Sequence, residues 1–143
     1  MGRRRKSREE ALQILYSIDI SGTVVHRAVE DYGEARGEPV DAFTEYLVYE
    51  TVRQRDEIDQ ILEEYMTHWH VDRLSVIDRN ILRLGIAEIM CCDDVPTKVT
   101  INEYIEIAKK YGGPDSAGFV NGVIDKAAQD REHISTRKRL PEH

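Results

Sequence analysis

The chain has 143 residues, 41% hydrophobic and 33% charged, which is enough for one folded core and too apolar for disorder throughout. No stretch approaches eighteen consecutive apolar residues, so a transmembrane helix is excluded. The formal net charge is −7, yet Arg3, Arg4, Arg5, Lys6 and Arg8 crowd one end; the other fifteen Lys and Arg face all 27 acids, leaving the remainder at −12.

Glu9, Glu10, Gln13 and Asp19 interrupt the segment behind the basic start, so it has no apolar signal-peptide core. Lys6 stands where myristoylation of Gly2 would require Ser or Thr. A cytoplasmic protein is expected. Ser7 and Glu10 form an S-x-x-E capping box, which starts the first predicted helix and leaves residues 1–7 as a flexible basic arm. That helix places Ala11, Leu12, Leu15, Tyr16 and Ile18 on one side, and Gly22 stops it. A weaker helix follows Thr23, from about Val24 to Ala35. "YGEARGEP" then reads as a loop, because it holds two glycines and Pro39. From Asp41 a long helical pattern runs through Phe43, Leu47, Ile58, Ile61, Leu62 and Tyr65, with the all-charged "RQRDE" marking a bend or a projection into solvent.

In the turn beyond, Trp69 reads as a core anchor with His68 and His70 on the surface; an H-x-H metal pair is the weaker alternative. Ser75-x-x-Asp78 is a second capping signal, and Ile77, Ile81, Leu82, Leu84, Ile86 and Ile89 make the next helix apolar over a wide arc, as expected at the centre of a core. Pro96 breaks that pattern. Thr100-x-x-Glu103 opens a further helix with Ile101, Tyr104, Ile105 and Ala108 inward, which Gly112-Gly113-Pro114 closes. Asp115 or Ser116 caps the last helix, carrying Phe119, Val120, Val123, Ile124 and Ala127. Residues 131–143 read as a polar, disordered tail. The expectation is an all-α bundle of six or seven helices, forming one domain over residues 1–130.

Chemistry for catalysis is thin. The two cysteines, Cys91 and Cys92, are adjacent, unsuited to an unstrained disulfide and without partners at zinc-ligand spacing; one buried and one partly exposed thiol is expected. Glu63-Glu64 and Asp93-Asp94 are consecutive pairs that diverge on a helix and read as solvated surface. No catalytic motif, metal or cofactor is expected. Two segments suggest binding instead. Arginine forks hydrogen-bond phosphate oxygens in pairs, so the basic start suits a nucleic-acid backbone, a solubilising terminus being the plainer alternative. In "KKYGGPDSAGF", Lys109, Lys110, Tyr111 and Phe119 flank a helix N-terminus that suits a phosphate and a stacked base; simple helix–helix packing explains the same residues equally well.

"RRKSREEALQILY", "IDRNILRLGIAEI", "DVPTKVTINEYIEIAKKYG" and "SAGFVNGVIDKAA" occur in an order that resembles the NusB family of bacterial transcription antitermination factors, over about Arg4 to Ala128. The resemblance implies two packed helical subdomains and no catalysis. It also implies binding of boxA RNA from ribosomal RNA operons together with NusE, a small-subunit ribosomal protein, in a larger complex with NusA, NusG and RNA polymerase. Carried over residue by residue, it makes Arg4, Arg5, Lys6 and Arg8 an RNA-contacting arm and Asp115, Ser116, Phe119 and Asn121, beside Lys109 and Lys110, a second RNA surface. Asp78 and neighbouring acids become candidates for contacting NusE, and a basic partner would suit the −12 body. Two positions depart from the family pattern: Gly118 replaces a commonly basic residue, and Gly85 a commonly small but bulkier alanine. A self-associating scaffold that buries the basic arm in a homodimer is the alternative. A NusB-like domain also precedes the catalytic domain of certain ribosomal RNA methyltransferases, and no such second domain is expected here.

Overall fold

Helical periodicity becomes seven helices, with no strand, among residues 2–66 and 70–130, which are those that the computed structural model describes. They are α1 (Gly2–Ser21), α2 (Val25–Arg36), α3 (Ala42–Arg53), α4 (Arg55–Tyr65), α5 (Val76–Cys91), α6 (Thr97–Tyr111) and α7 (Ser116–Gln129), with a short 3₁₀ turn at Val71–Arg73 before α5. The predicted tail, His68 and Trp69 lie outside the described residues. Helices α1, α3, α4, α6 and α7 all pack on α5, while α2 packs on α1 and α3, so α5 is the shared centre. Every residue from Asn80 to Met90 is buried, as the wide apolar arc requires.

Start and stop signals held where side chains reach their own helix. Asp41 accepts the Thr44 amide at 2.8 Å and Ser75 accepts the Asp78 amide at 3.0 Å, each capping the helix that follows. Gly22 leaves α1 at φ +74°. Gln54, with φ −105° and ψ 20°, separates α3 from α4 within the charged "RQRDE", which is the bend the sequence predicted.

Three local readings are corrected. The first concerns α1, which starts at Gly2, not at Ser7, so the basic segment is helix and not a flexible arm. Ser7 is buried within it, donating to the Arg3 carbonyl (3.1 Å) and to Asp41 (2.6 Å). On the same helix Ile14 is buried, while Tyr16 is 40% exposed and faces outward. The second concerns "YGEARGEP": α2 ends at Arg36, close to the Ala35 end expected for the weaker helix, so residues 32–36 are helical and only 37–41 are loop. Gly37, at φ +94°, donates to Glu34, and Glu38 donates to Gly33, closing the helix by a Schellman motif one glycine later than the loop reading placed it. Third, α6 begins at Thr97 directly behind Pro96, three residues before the apparent capping box. Thr100 and Glu103 spend their side chains elsewhere, as described below.

Gly85 is explained by packing. A Cβ there would stand 2.5 Å from Ile124 Cδ1 and 3.8 Å from Tyr104 Cδ2, so its absence lets α5 approach α6 and α7 closely. The helical entropy cost of a glycine, about 1 kcal/mol, is offset by that contact.

Candidate nucleic-acid interface

Four consecutive cations at a helix N-terminus oppose the helix dipole, and α1 has no acid in its first turn. Tertiary contacts hold it instead. The Arg4 guanidinium lies 4.0 Å over the Phe43 ring of α3, a cation–π contact. Arg5 donates from Nε and Nη2 to the two oxygens of Glu103 on α6, both at 2.9 Å. That pair raises the Arg5 pKa, chiefly through the Glu103 hydrogen bond, and the same bond holds the Glu103 carboxyl below its usual range. Arg3 and Lys6 are exposed and form no ion pair among the described residues.

Arg8 is a correction. Its side chain is 3% exposed, and Nε and Nη2 donate to Glu88 at 2.8 and 2.6 Å, with Glu103 a further 3.7 Å away. Thr100 (3.1 Å) and Tyr104 (3.0 Å) also donate to Glu88, whose side chain is fully buried. Burial would lower the Arg8 pKa, but the Glu88 carboxylate outweighs it and the net shift is upward. Burial likewise keeps the Tyr104 phenol well above its ordinary value, hence a donor. Arg8 is a cornerstone of the core and is not presented to a ligand.

The second surface is assembled from more distant residues. Glu9 accepts from Lys110 (3.0 Å) and from the Tyr111 hydroxyl (3.1 Å), and Lys109 pairs with Glu106 (3.2 Å). Arg5 beside Glu103 and Glu9 beside Lys110 set α1 and α6 running the same way. The level of Tyr111 is therefore about 12 Å along from that of Glu103, at 1.5 Å per residue. Just beyond lies an open groove of about 510 Å³ walled by Leu74, Pro114 and half-buried Phe119, with Arg73 at its edge. Ser116 is buried there; its hydroxyl accepts the Gly113 amide (2.9 Å) and donates to Asp78 (2.7 Å). Asp78 and Ser116, read from the sequence as belonging to different surfaces, thus share a hydrogen bond. Asp115 and Asn121 are exposed, and Asp115 occupies the α7 N-cap position without a side-chain cap bond. Nothing would touch a Cβ at Gly118, so the start of α7 is open.

Sequence reading missed Phe43 and Glu103 as neighbours of the basic end and Arg73 as a groove cation. Each lies on a different element from its target, and no local spacing marks it. Cys92 is buried and Cys91 half-buried, as expected, and burial pushes the Cys92 thiol up to about 12. Among the described residues no three His, Cys, Asp or Glu side chains gather to hold a metal, and no helix is long and apolar enough to cross a membrane. Exposed His70 lies 3.6 Å from Glu63.

Fold and surface together define a small all-helical domain that concentrates cations at one helix end and an aromatic groove beyond it. The family model described as the NusB family matches residues 5–129, and the chain belongs to that family. It is 40% identical over 130 residues to the transcription antitermination protein NusB of Bacillus velezensis, covering 91% of this chain and 98% of that one. Against the protein of the same name from Myxococcus xanthus it is 43% identical over 134 residues, covering 90% and 96%. T. maritima NusB superposes with a TM-score of 0.80 at 31% identity, covering 89% of this chain and 91% of that one. A chain from the crystal structure of antitermination factors NusB and NusE in complex with double-stranded RNA superposes with a TM-score of 0.79 at 30% identity, over 91% and 98%.

Proposed function

We infer that this chain is a non-catalytic transcription antitermination factor that binds RNA together with a NusE-type protein, acting in the cytoplasm. Family membership over nearly the whole chain carries the role. The observation that carries the RNA surface is the exposed cationic end of α1, where Arg3 and Lys6 form no ion pair among the described residues and Arg4 is stacked but still exposed. Phosphates would meet Arg3, Arg4, Lys6 and, by exchange, Arg5. A base would enter the groove against Phe119, with Arg73 of the same groove supplying charge that Gly118 does not. Exposed Lys109, Lys110, Asp115 and Asn121 would supply further contacts.

For the protein partner, Ile77 beside Asp78 lines a shallow hollow of about 160 Å³ with Leu12, Tyr16 and Tyr111. Exposed Tyr16 and Ile20 extend that apolar surface, and the acidic body favours encounter with a basic protein.

The test is a titration of a boxA-type RNA at several salt concentrations. Replacing Arg3, Arg4 and Lys6 by alanine should weaken binding and flatten the slope of log affinity against log salt by about 0.7 per lost phosphate contact on a single strand. A triple variant that binds as tightly as the parent would place the RNA elsewhere.

A further inference from the structure

We propose that Glu103 is an internal stand-in for phosphate that makes the cationic end of α1 selective about which RNA it accepts; this rests on the RNA-binding reading above.

Arg5 presents two parallel donors to both oxygens of Glu103, at 2.9 Å each, the fork a guanidinium also offers to phosphate. In the free protein its best donor pair is therefore occupied. The pair is nonetheless at the surface, since 40% of the Arg5 side chain is exposed, against 3% for Arg8. An RNA phosphate can reach Arg5 but finds a carboxylate already seated, with Glu9 and Glu106 adding negative field around the same guanidinium.

Exchange is feasible because Glu103 would not be left without a cation. Arg8 Nη1 stands 3.7 Å from Glu103, while Arg8 keeps its own bidentate partner in Glu88. Glu9 is already engaged by Lys110 and Tyr111, so it does not compete for the vacated place. An RNA held only by diffuse attraction gains little at Arg5, because one anion merely replaces another. An RNA also anchored at Arg3, Lys6 and the Phe119 groove is held in register long enough to make the swap. Glu103 thereby discounts non-specific binding more than specific binding.

The experiment compares the parent, Glu103→Gln, and Glu103→Gln combined with Arg5→Gln. Each is titrated with a labelled boxA-type RNA and with a scrambled RNA of the same length, over a range of salt. Glutamine keeps the size of the side chain and one acceptor but removes the charge. E103Q should bind the scrambled RNA up to about fivefold more tightly, the upper bound for a surface ion pair, with a smaller gain for the boxA-type RNA. Its salt slope on scrambled RNA should steepen by about 0.7, and the double variant should lose both gains. Thermal melting verifies folding; if E103Q melts below the titration temperature, all three proteins are titrated at a lower temperature where it is folded, with the same expected order. Parent binding with no tightening in the variant overturns the role of Glu103 alone. A parent that binds neither RNA overturns the RNA-binding reading and this inference with it.

Discussion

Arg5 and Arg8 stand three residues apart on one basic run and meet different fates. Arg8 turns inward to a carboxylate with no solvent exposure, and Arg5 remains at the surface on a partner it can exchange. A buried pair that loses one member leaves an uncompensated charge, so Arg8→Ala should lower unfolding stability by about 3–5 kcal/mol in urea titrations. The salt slope of RNA binding by the folded fraction should stay unchanged. Unchanged stability with a flattened slope would return Arg8 to the interface. At this scale the sequence showed which residues carry charge but not which way they point, because an arginine's environment is set by residues such as Glu88, 80 positions away.

Helix ends obeyed local rules only where the cap is local. Ser75 and Asp41 reach amides three residues on; Ser75 was legible as a cap and Asp41 as the start of a helical pattern. The apparent boxes at Ser7 and Thr100 lie inside helices because their hydroxyls found distant acids, Asp41 and Glu88. Helix α1 extends to Gly2 against its own dipole because Phe43 on α3, Glu103 on α6 and Asp41 at the α3 N-cap receive it. Packing between helices is testable at Gly85. Gly85→Ala should clash with Ile124 Cδ1, and Ile124→Val alone should cost about 0.5–1.5 kcal/mol, the usual value for that truncation. Combined, the new methyl occupies the space that the lost methyl leaves. The double variant should therefore be more stable than the two single effects added together predict, by about 1 kcal/mol or more. Additive effects in chemical denaturation would mean that the two helices relax apart freely.

Across the whole molecule, several carboxyl groups sit below their ordinary range, and acid should act on them together. Glu103 is lowered first by its Arg5 hydrogen bond. Burial raises Asp19 and Asp41, but hydrogen bonds outweigh it: to Asn80 and Arg79 for Asp19, to Ser7 and the Thr44 amide for Asp41. A group whose folded pKa lies below its unfolded value binds fewer protons in the folded state across that interval. Its contribution is therefore complete above the ordinary carboxylate range, near pH 4, and is lost as pH falls through the folded value. Denaturant midpoints should hold steady from neutral pH to about 5 and fall steeply below about 4. Asp41→Asn, which can still cap α3, should show a shallower fall; an identical acid profile would mean that Asp41 titrates alike in both states.

The sequence by itself determined the all-helical class, the central place of α5, the caps that act within one turn, the family and the gathering of cations at one end. Those properties are written in period, spacing and composition, each readable over a few residues or as a sum. Tertiary structure decided that the basic run is helix and not arm, that Arg8 is core while Arg3 and Lys6 are exposed, and that Arg5 is held by Glu103. It also decided that Asp78 and Ser116 meet. The physical reason is distance along the chain: the anions and aromatics that sort one cation from the next come from α3, α5 and α6, and only packing brings them to α1.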